Sequence, residues 1–361
     1  MVQKFIQIYQ EDGIFKPGTF SNNLAEHFAR GLTTILPLHT NIKFIWQDNQ
    51  KFFKQTYDFD DTAIVIQGPI FYDNNYTAET FKLYRSIYPN VPIVISTWKG
   101  EANKNFRREC QENSIVLLEN EPPKDRGPWN VNMQLKSSFQ GVSYVKENTT
   151  AKFVLKTRTD QRINEFDFLV YFKNLLETFP PKDYKLHKRI ILLGNLDETQ
   201  FPFYYRDYLS FGNVNDILKL YGIPFYSDPG EMSYHFRHKE RMLNFRDKVP
   251  NRQYSIDYDS KFAKNLNHCK IKRLARKFCF PEMYITKTFY KLNIAPIDES
   301  KISETSWKFA AEYLILIDGE SILFDFPKYE ISRYGVMNSI SNHSTFSRWL
   351  DLYRNFKIDW V

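Results

Sequence analysis

The sequence predicts an α/β protein built on a mostly parallel β-sheet with helices on its faces. Short runs of β-branched and aliphatic residues recur between residues 61 and 160, segments with helical periodicity separate them, and each run breaks into glycine, proline or polar residues. Covered on both faces by helices, a parallel strand reads as a continuous apolar run. Such runs alternating with helices mark βαβ units.

Thr62-Ala-Ile-Val-Ile66 is the first strand, and Gln67-Gly68-Pro69 ends it, since proline cannot extend the ladder. Thr77 to Tyr88 carries helical periodicity and stops at Pro89. The second strand, Pro92 to Thr97, runs into Trp98-Lys-Gly100. After another helix, Ser114 to Leu118 reads as the third strand, and a helix begins at Asn130 and continues past Gly141. Lys152 to Lys156 is the fourth strand, ending in Thr157-Arg158-Thr159-Asp160. Beyond Gln161 the pattern is mixed: a strand at Arg189 to Leu193, then Asp207-Tyr-Leu-Ser-Phe-Gly212 before a helix near Val214 to Tyr221. A helix starts at Pro281, where proline suits the first helical position and Glu282 suits the positive end of the dipole.

These readings divide the chain into three. Residues 1–60 form an extension packed on the core, with strand-like Lys4 to Tyr9 and Asn41 to Gln47 around an amphipathic Ser21 to Leu36. Residues 61–300 form the main domain, and 301–361 a C-terminal α/β extension.

At 361 residues the chain can bury a sizeable core, and its 42% hydrophobic and 25% charged content is that of a soluble globular protein. The net charge of +7 asks for an acidic partner: a pyrophosphate, anionic lipid headgroups or nucleic acid. Lys270-Ile-Lys-Arg-Leu-Ala-Arg-Lys277 is the densest basic cluster, readable as a solvated helix face or as a patch for an anionic membrane surface. The 32 Phe and 23 Tyr could stack on bases or sugars, or simply fill a core. Cys110, Cys269 and Cys279 show no C-x-x-C spacing, which argues against zinc and a disulfide framework and for thiols in a reducing compartment. The N-terminus lacks a signal-peptide apolar region, and no apolar run approaches the ~20 residues of a membrane span. The expectation is a cytoplasmic protein, peripheral at most on the inner face of the membrane. Without a zinc-finger spacing or an RNP-like strand, no nucleic acid is expected as partner.

Right-handed crossovers place the strand C-termini on one edge of the sheet, and ligands bind there. The segments so gathered are Gln67-Gly68-Pro69, Ser96-Thr97-Trp98, Glu119 to Pro123 and Arg158-Thr159-Asp160.

Read in order, several segments resemble the WavE-like lipopolysaccharide synthesis family of glycosyltransferases. They are Ile64 to Ile70, the Thr77 to Tyr88 helix, Ile93 to Trp98, Asn132 through Gly141, Val154 to Asp160, Asp207 with Phe211-Gly212, and Pro281-Glu282. The resemblance spans about residues 61 to 290. It implies a GT-A-like Rossmann-type fold, a nucleotide-sugar donor and a glycan or glycolipid acceptor such as lipopolysaccharide or capsule. A nucleotidyltransferase of the same fold is the alternative, weakened by the lack of a Gly-rich basic N-terminal signature. A basic nucleic-acid-binding protein is a second, supported by composition alone.

Glycosyl transfer builds negative charge on the leaving nucleoside diphosphate and needs a base for the acceptor hydroxyl. Asp160, directly after a buried strand, is the leading ligand for a divalent cation, Mn²⁺ or Mg²⁺. The usual Asp-x-Asp is here Arg158-Thr159-Asp160, so Arg158 either grips a phosphate or pairs with a neighbouring acid. Gln67, Gly68 and Pro69 would let backbone approach the nucleotide; Ser96, Thr97 and Trp98 would bond or stack on it; Asn132, Gln134 and Lys136 would reach it from their helix. Glu282 and Asp207 are the candidate bases. His235 and His238 have a helical spacing suited to a late metal ligand, but basic flanks point to the surface.

Overall fold

Four parallel strands follow the four apolar runs: β1 (Thr62–Gln67), β2 (Ile93–Trp98), β3 (Val116–Asn120) and β4 (Phe153–Arg158). They are joined by α1 (Tyr76–Ile87), α2 (Lys104–Glu112) and α3 (Val131–Asn148). The computed structural model describes residues 59–165, 167–194, 202–227, 281–327 and 345–358, all within the unit Thr56–Val361. The expected N-terminal elements, His235, His238, Lys270 to Lys277, Cys269 and Cys279 lie outside the described residues.

Further along come β5 (Arg162–Ile163), α4 (Phe168–Thr178), β6 (Ile190–Leu193), β7 (Ser210–Asn213) and α5 (Val214–Tyr221). After them stand α6 (Pro281–Asn293), α7 (Ile302–Tyr313), β8 (Leu314–Ile317), β9 (Phe324–Asp325) and α8 (Thr345–Ile358). The main sheet has seven strands in the order β3-β2-β1-β4-β7-β6-β8, and β5 pairs with β9 in a small second sheet. From β1 the chain moves outward to β2 and β3, then crosses back to place β4 on the other flank of β1. This is the Rossmann-type, mostly parallel arrangement expected, with its topological switch point between β1 and β4.

The core explains the apolar runs. Ala63 to Ile66, Ile93 to Ile95, and Val154 with Leu155 are almost fully buried, with α3 packed across β1, β2 and β4. Closest approach falls at Gly141 of α3, where a Cβ would lie 2.5 Å from Val65 Cγ1 and 3.2 Å from Ser96 Cβ. Only glycine lets this helix sit so near the sheet.

Within the mostly parallel sheet β7 is the strand that runs antiparallel, to both β4 and β6. Residues just before β7, Asp207 among them, therefore arrive at the edge where β1 and β4 end. Two expectations are corrected. β3 starts at Val116 rather than Ser114, because Ser114 has φ 53 and Ile115 N still bonds Cys110 O, closing the turn after α2. Second, the boundary at residue 300 cuts through one sheet. β8 pairs in parallel with β6 over Ile190 to Leu193, and Arg189 donates to Ala311 O at 2.6 Å and Leu314 O at 3.1 Å. Residues beyond 300 complete the sheet instead of decorating it.

Candidate active site

At the switch point Gln67 stands in register with Arg158, and the two strand ends are sewn together. Thr159 N donates to Gln67 O at 3.0 Å, and Thr159 Oγ1 to Pro69 O at 2.6 Å. Gly68 has φ 118, and a Cβ there would meet Thr159 Oγ1 at 3.1 Å. Its freedom serves this strand-to-strand contact, so the close backbone approach expected for a nucleotide is taken by Thr159.

Gln67 Oε1 accepts from Ser137 Oγ at 2.6 Å, and Ser96 Oγ donates to Ser137 O at 2.7 Å. Asn120 Nδ2 donates to Ser96 Oγ at 2.9 Å and to Thr97 O at 2.9 Å. Ser96, fully buried, thus locks β2 to β3 and α3 and does not face a ligand. Thr97 Oγ1 donates to Glu101 Oε2 at 3.0 Å, which also accepts from Ile70 N at 3.1 Å. Trp98, 5% exposed, is core. Of the three residues expected to contact donor from β2, none presents a free face; they brace the edge.

Asn132 is likewise structural. Its Oδ1 accepts from Tyr226 N at 2.7 Å, and its Nδ2 donates to Tyr226 O at 3.0 Å and Asp125 O at 3.2 Å. A buried amide satisfied this way clamps two loops together.

Charged groups gather between β4 and the approach to β7. Arg158 grips Asp160 with both prongs: Nε to Oδ1 at 2.9 Å and a terminal nitrogen to Oδ2 at 2.8 Å. Its guanidinium lies 5.1 Å from the ring centre of Phe326, which packs edge-on against Tyr208. Asp207, nearly buried, accepts from Gln134 Nε2 through its carboxylate, and its carbonyl accepts from Lys156 Nζ at 2.7 Å. Lys156 is wholly buried beneath this cluster, its ammonium 5.1 Å from the centre of the Tyr221 ring. Burial pushes that ammonium down to about 8; Asp207 and Asp160 oppose the push, and Arg158 adds to it. One buried cation therefore interacts with Asp207, Arg158 and Asp160 together. Glu282 lies apart in the first turn of α6, where its carbonyl accepts from Thr286 Oγ1 at 2.8 Å.

The expected divalent cation does not fit this arrangement. Asp160 is its one carboxylate ligand, and both oxygens are held by Arg158, whose charge repels a second cation. Among the described residues no group of three or more His, Cys, Asp and Glu could hold a metal.

Two contributors are not read from the sequence. Lys156 reads as strand only, although a lysine inside a buried run is itself a signal. Phe326 comes from the segment assigned to an extension. A surface cleft of about 390 Å³ between α3, α5 and α6, lined by Phe139, Lys146, Leu218, Lys219 and Leu292 among others, is separate from the strand ends.

The chain from β1 to the end of α8 matches the model of a known family, whose description is WavE lipopolysaccharide synthesis, over residues 62–359. The chain belongs to the WavE lipopolysaccharide synthesis family. The match extends well past residue 290, in keeping with the strand that β8 adds to the sheet. No curated protein matches the chain. Among solved structures it is similar to a cytidylyltransferase from Leptospira borgpetersenii serovar Hardjo-bovis (12% identity, TM-score 0.31, 64% of this chain and 93% of that one). It is also similar to a glycosyltransferase involved in glycosylation of the major capsid of PBCV-1 (8% identity, TM-score 0.27, 53% and 79%). No described helix is long and apolar enough to cross a membrane.

Proposed function

We propose that this WavE family member transfers a glycosyl group from a nucleoside-diphosphate sugar to a surface-glycan acceptor. One observation carries the reading: at the sheet's switch point Arg158 clasps Asp160, and two residues back on the same strand the buried Lys156 ammonium donates to the Asp207 carbonyl. Ligands of doubly wound sheets bind at that point, and the leaving group of glycosyl transfer is an anion. In the proposed reaction the acceptor oxygen bonds to the anomeric carbon as the bond from that carbon to the diphosphate oxygen breaks. Arg158 and Lys156 stabilise the charge on the departing diphosphate. Asp207, oriented by Gln134, takes the acceptor proton. Asp160 holds the Arg158 fork in place, as a carboxylate does for a planar guanidinium. No step is routed through a metal ion.

The test is a panel of nucleotide sugars incubated with the purified chain, scored for nucleoside-diphosphate release and transfer to deacylated lipopolysaccharide. Donor-dependent release that Asp207→Asn lowers in kcat far more than in donor Kd supports the reading. Absence of release with every donor, or pyrophosphate release from a nucleoside triphosphate and a sugar phosphate, overturns it. Transfer is expected to survive EDTA, because the positive charge comes from side chains; complete loss that Mn²⁺ restores would put a metal where Arg158 now sits.

A further inference from the structure

Away from the strand ends, α3, α5 and α6 leave an apolar cleft open on the surface. Phe139 of α3, Leu218 of α5, Leu292 of α6 and Ile223 line it. Leu292 is 59% exposed and Phe139 36%, and Phe225, two residues beyond Ile223, is 45% exposed. Apolar side chains scattered singly over a surface need no explanation, but several gathered on one face mark an interaction surface.

The face is fixed by its own packing. Phe139 lies over Gly222, where a Cβ would meet the ring at 3.1 Å. The Tyr284 hydroxyl donates to Pro224 O at 2.8 Å, and the Tyr226 and Tyr284 rings pack edge-on with centres 5.1 Å apart. The connection that carries Ile223 and Phe225 is thereby pinned to α6.

Charge selects the partner. Among the described residues, those lining the cleft include Lys146 and Lys219 but no Asp or Glu, and Lys291, beside Leu292 on α6, is exposed. None of these three ammonium groups is in an ion pair among the described residues. Elsewhere on the surface Lys82, Lys99, Lys188 and Lys287 each close on a glutamate. Uncompensated cations around an apolar floor complement an anionic lipid surface, whose phosphates meet the rim while the apolar residues enter the boundary below them. A second copy of the chain fits less well, because a twofold contact sets the patch on itself and brings these lysines together without a carboxylate. The floor also lies close to the chemistry. Phe139 follows Gln134, which bonds the Asp207 carboxylate, by about 7.5 Å along α3. We propose that the face of α3, α5 and α6 around this cleft docks on an anionic phospholipid bilayer and holds the candidate site near an acceptor anchored there.

The experiment measures co-sedimentation of the full-length chain with phosphatidylcholine vesicles and with phosphatidylcholine–phosphatidylglycerol vesicles, in low and in high salt. The parent is expected to bind the anionic vesicles and to be released by salt. Lys146→Gln combined with Lys219→Gln is expected to weaken that binding about twenty- to thirtyfold, about fivefold for each ammonium. Leu292→Ser is expected to weaken it about five- to tenfold and to keep the salt sensitivity, because it removes apolar area and no charge. Nucleoside-diphosphate release in solution and Tm should match the parent's in both variants, whose altered side chains are exposed and outside the candidate site. Vesicle binding equal in the parent and both variants overturns the proposal, as does a parent that binds neither vesicle. Binding lost only when Lys270, Lys272 and Arg273 are replaced also overturns it and moves the contact to that basic cluster. A parent that is a dimer in solution, made monomeric by Leu292→Ser, gives the face to a second copy instead. None of these outcomes touches the transfer reaction, which the release assay scores by itself.

Discussion

Arg158 shows how one residue carries two demands. Its fork closes on Asp160, and the pair is only slightly exposed, so the guanidinium is oriented before any phosphate arrives. Arg158→Lys keeps the charge but gives up the bidentate geometry. Donor affinity should fall roughly tenfold, the loss of one charge-assisted bond, with Tm nearly unchanged; calorimetry and a thermal scan read both. Lys156 adds a pH dependence. Its folded value is pushed down from the 10.5 of a free lysine to about 8, so its charge is present below about pH 8 and lost above. Donor binding should therefore weaken as pH passes through 8, and the step should vanish in Lys156→Met. Stability moves the other way: between about 8 and 10.5 the unfolded chain binds more protons, so folding strengthens with pH. A donor affinity flat from pH 7 to 9.5 in the parent would remove Lys156 from the site. These residues also mark what the sequence made readable. Arg158, Asp160 and Asp207 stood out because charge after a buried run has few reasons to be there. Ser96 and Asn132 look the same in sequence, but their partners, Ser137 and Tyr226, lie far along the chain, and only the fold brings them together.

At the scale of elements, the strands and helices before residue 160 were legible because each obeys a local rule. Continuous apolar runs make buried strands, and proline and glycine end them. β7 escaped because a four-residue strand has the same composition whichever way it runs. Its direction is set by pairing with β4 and β6, and that direction delivers Asp207 to the site. The contact of α3 with the sheet was equally hidden, since a glycine inside a helix reads as a weakness of about 1 kcal/mol. In place it is the point where helix and sheet touch. Gly141→Ala puts a methyl 2.5 Å from Val65 Cγ1, and a short β-branched side chain has little freedom to swing aside. We expect a cost of about 1–3 kcal/mol, seen as a Tm drop of several degrees. Donor affinity should fall as well, because Ser137 and Gln134 are carried on the same helix. A variant as stable as the parent would show that α3 can ride higher without loss.

For the whole molecule, the question is where folding ends. Leu314, Ile315, Leu316 and Ile317 are almost fully buried as the edge strand β8, and α8 seals it with the buried Trp349, whose Nε1 donates to Ala310 O at 3.0 Å. Arg189 is the hinge of this arrangement. It is nearly buried, with the ring centre of Tyr353 5.0 Å from its guanidinium, and burial pushes it down to about 10. Its donors go to Pro180, Ala311 and Leu314 carbonyls, two of them beyond residue 300. Ending the chain at 300 would leave the guanidinium only the Pro180 carbonyl of its three acceptors and expose the apolar β6 edge that Leu314 to Ile317 cover, each such side chain contributing about 1.5–3 kcal/mol when buried. That is a large part of the roughly 5–15 kcal/mol that stabilises a domain. The truncated chain should therefore show no cooperative thermal transition and bind no nucleotide. Arg189→Ala in the full-length chain removes the charge along with its bonds, so it should fold with a lowered Tm and near-normal donor affinity. A chain ending at residue 300 that melts cooperatively near the parent's Tm would return 301–361 to the status of an extension.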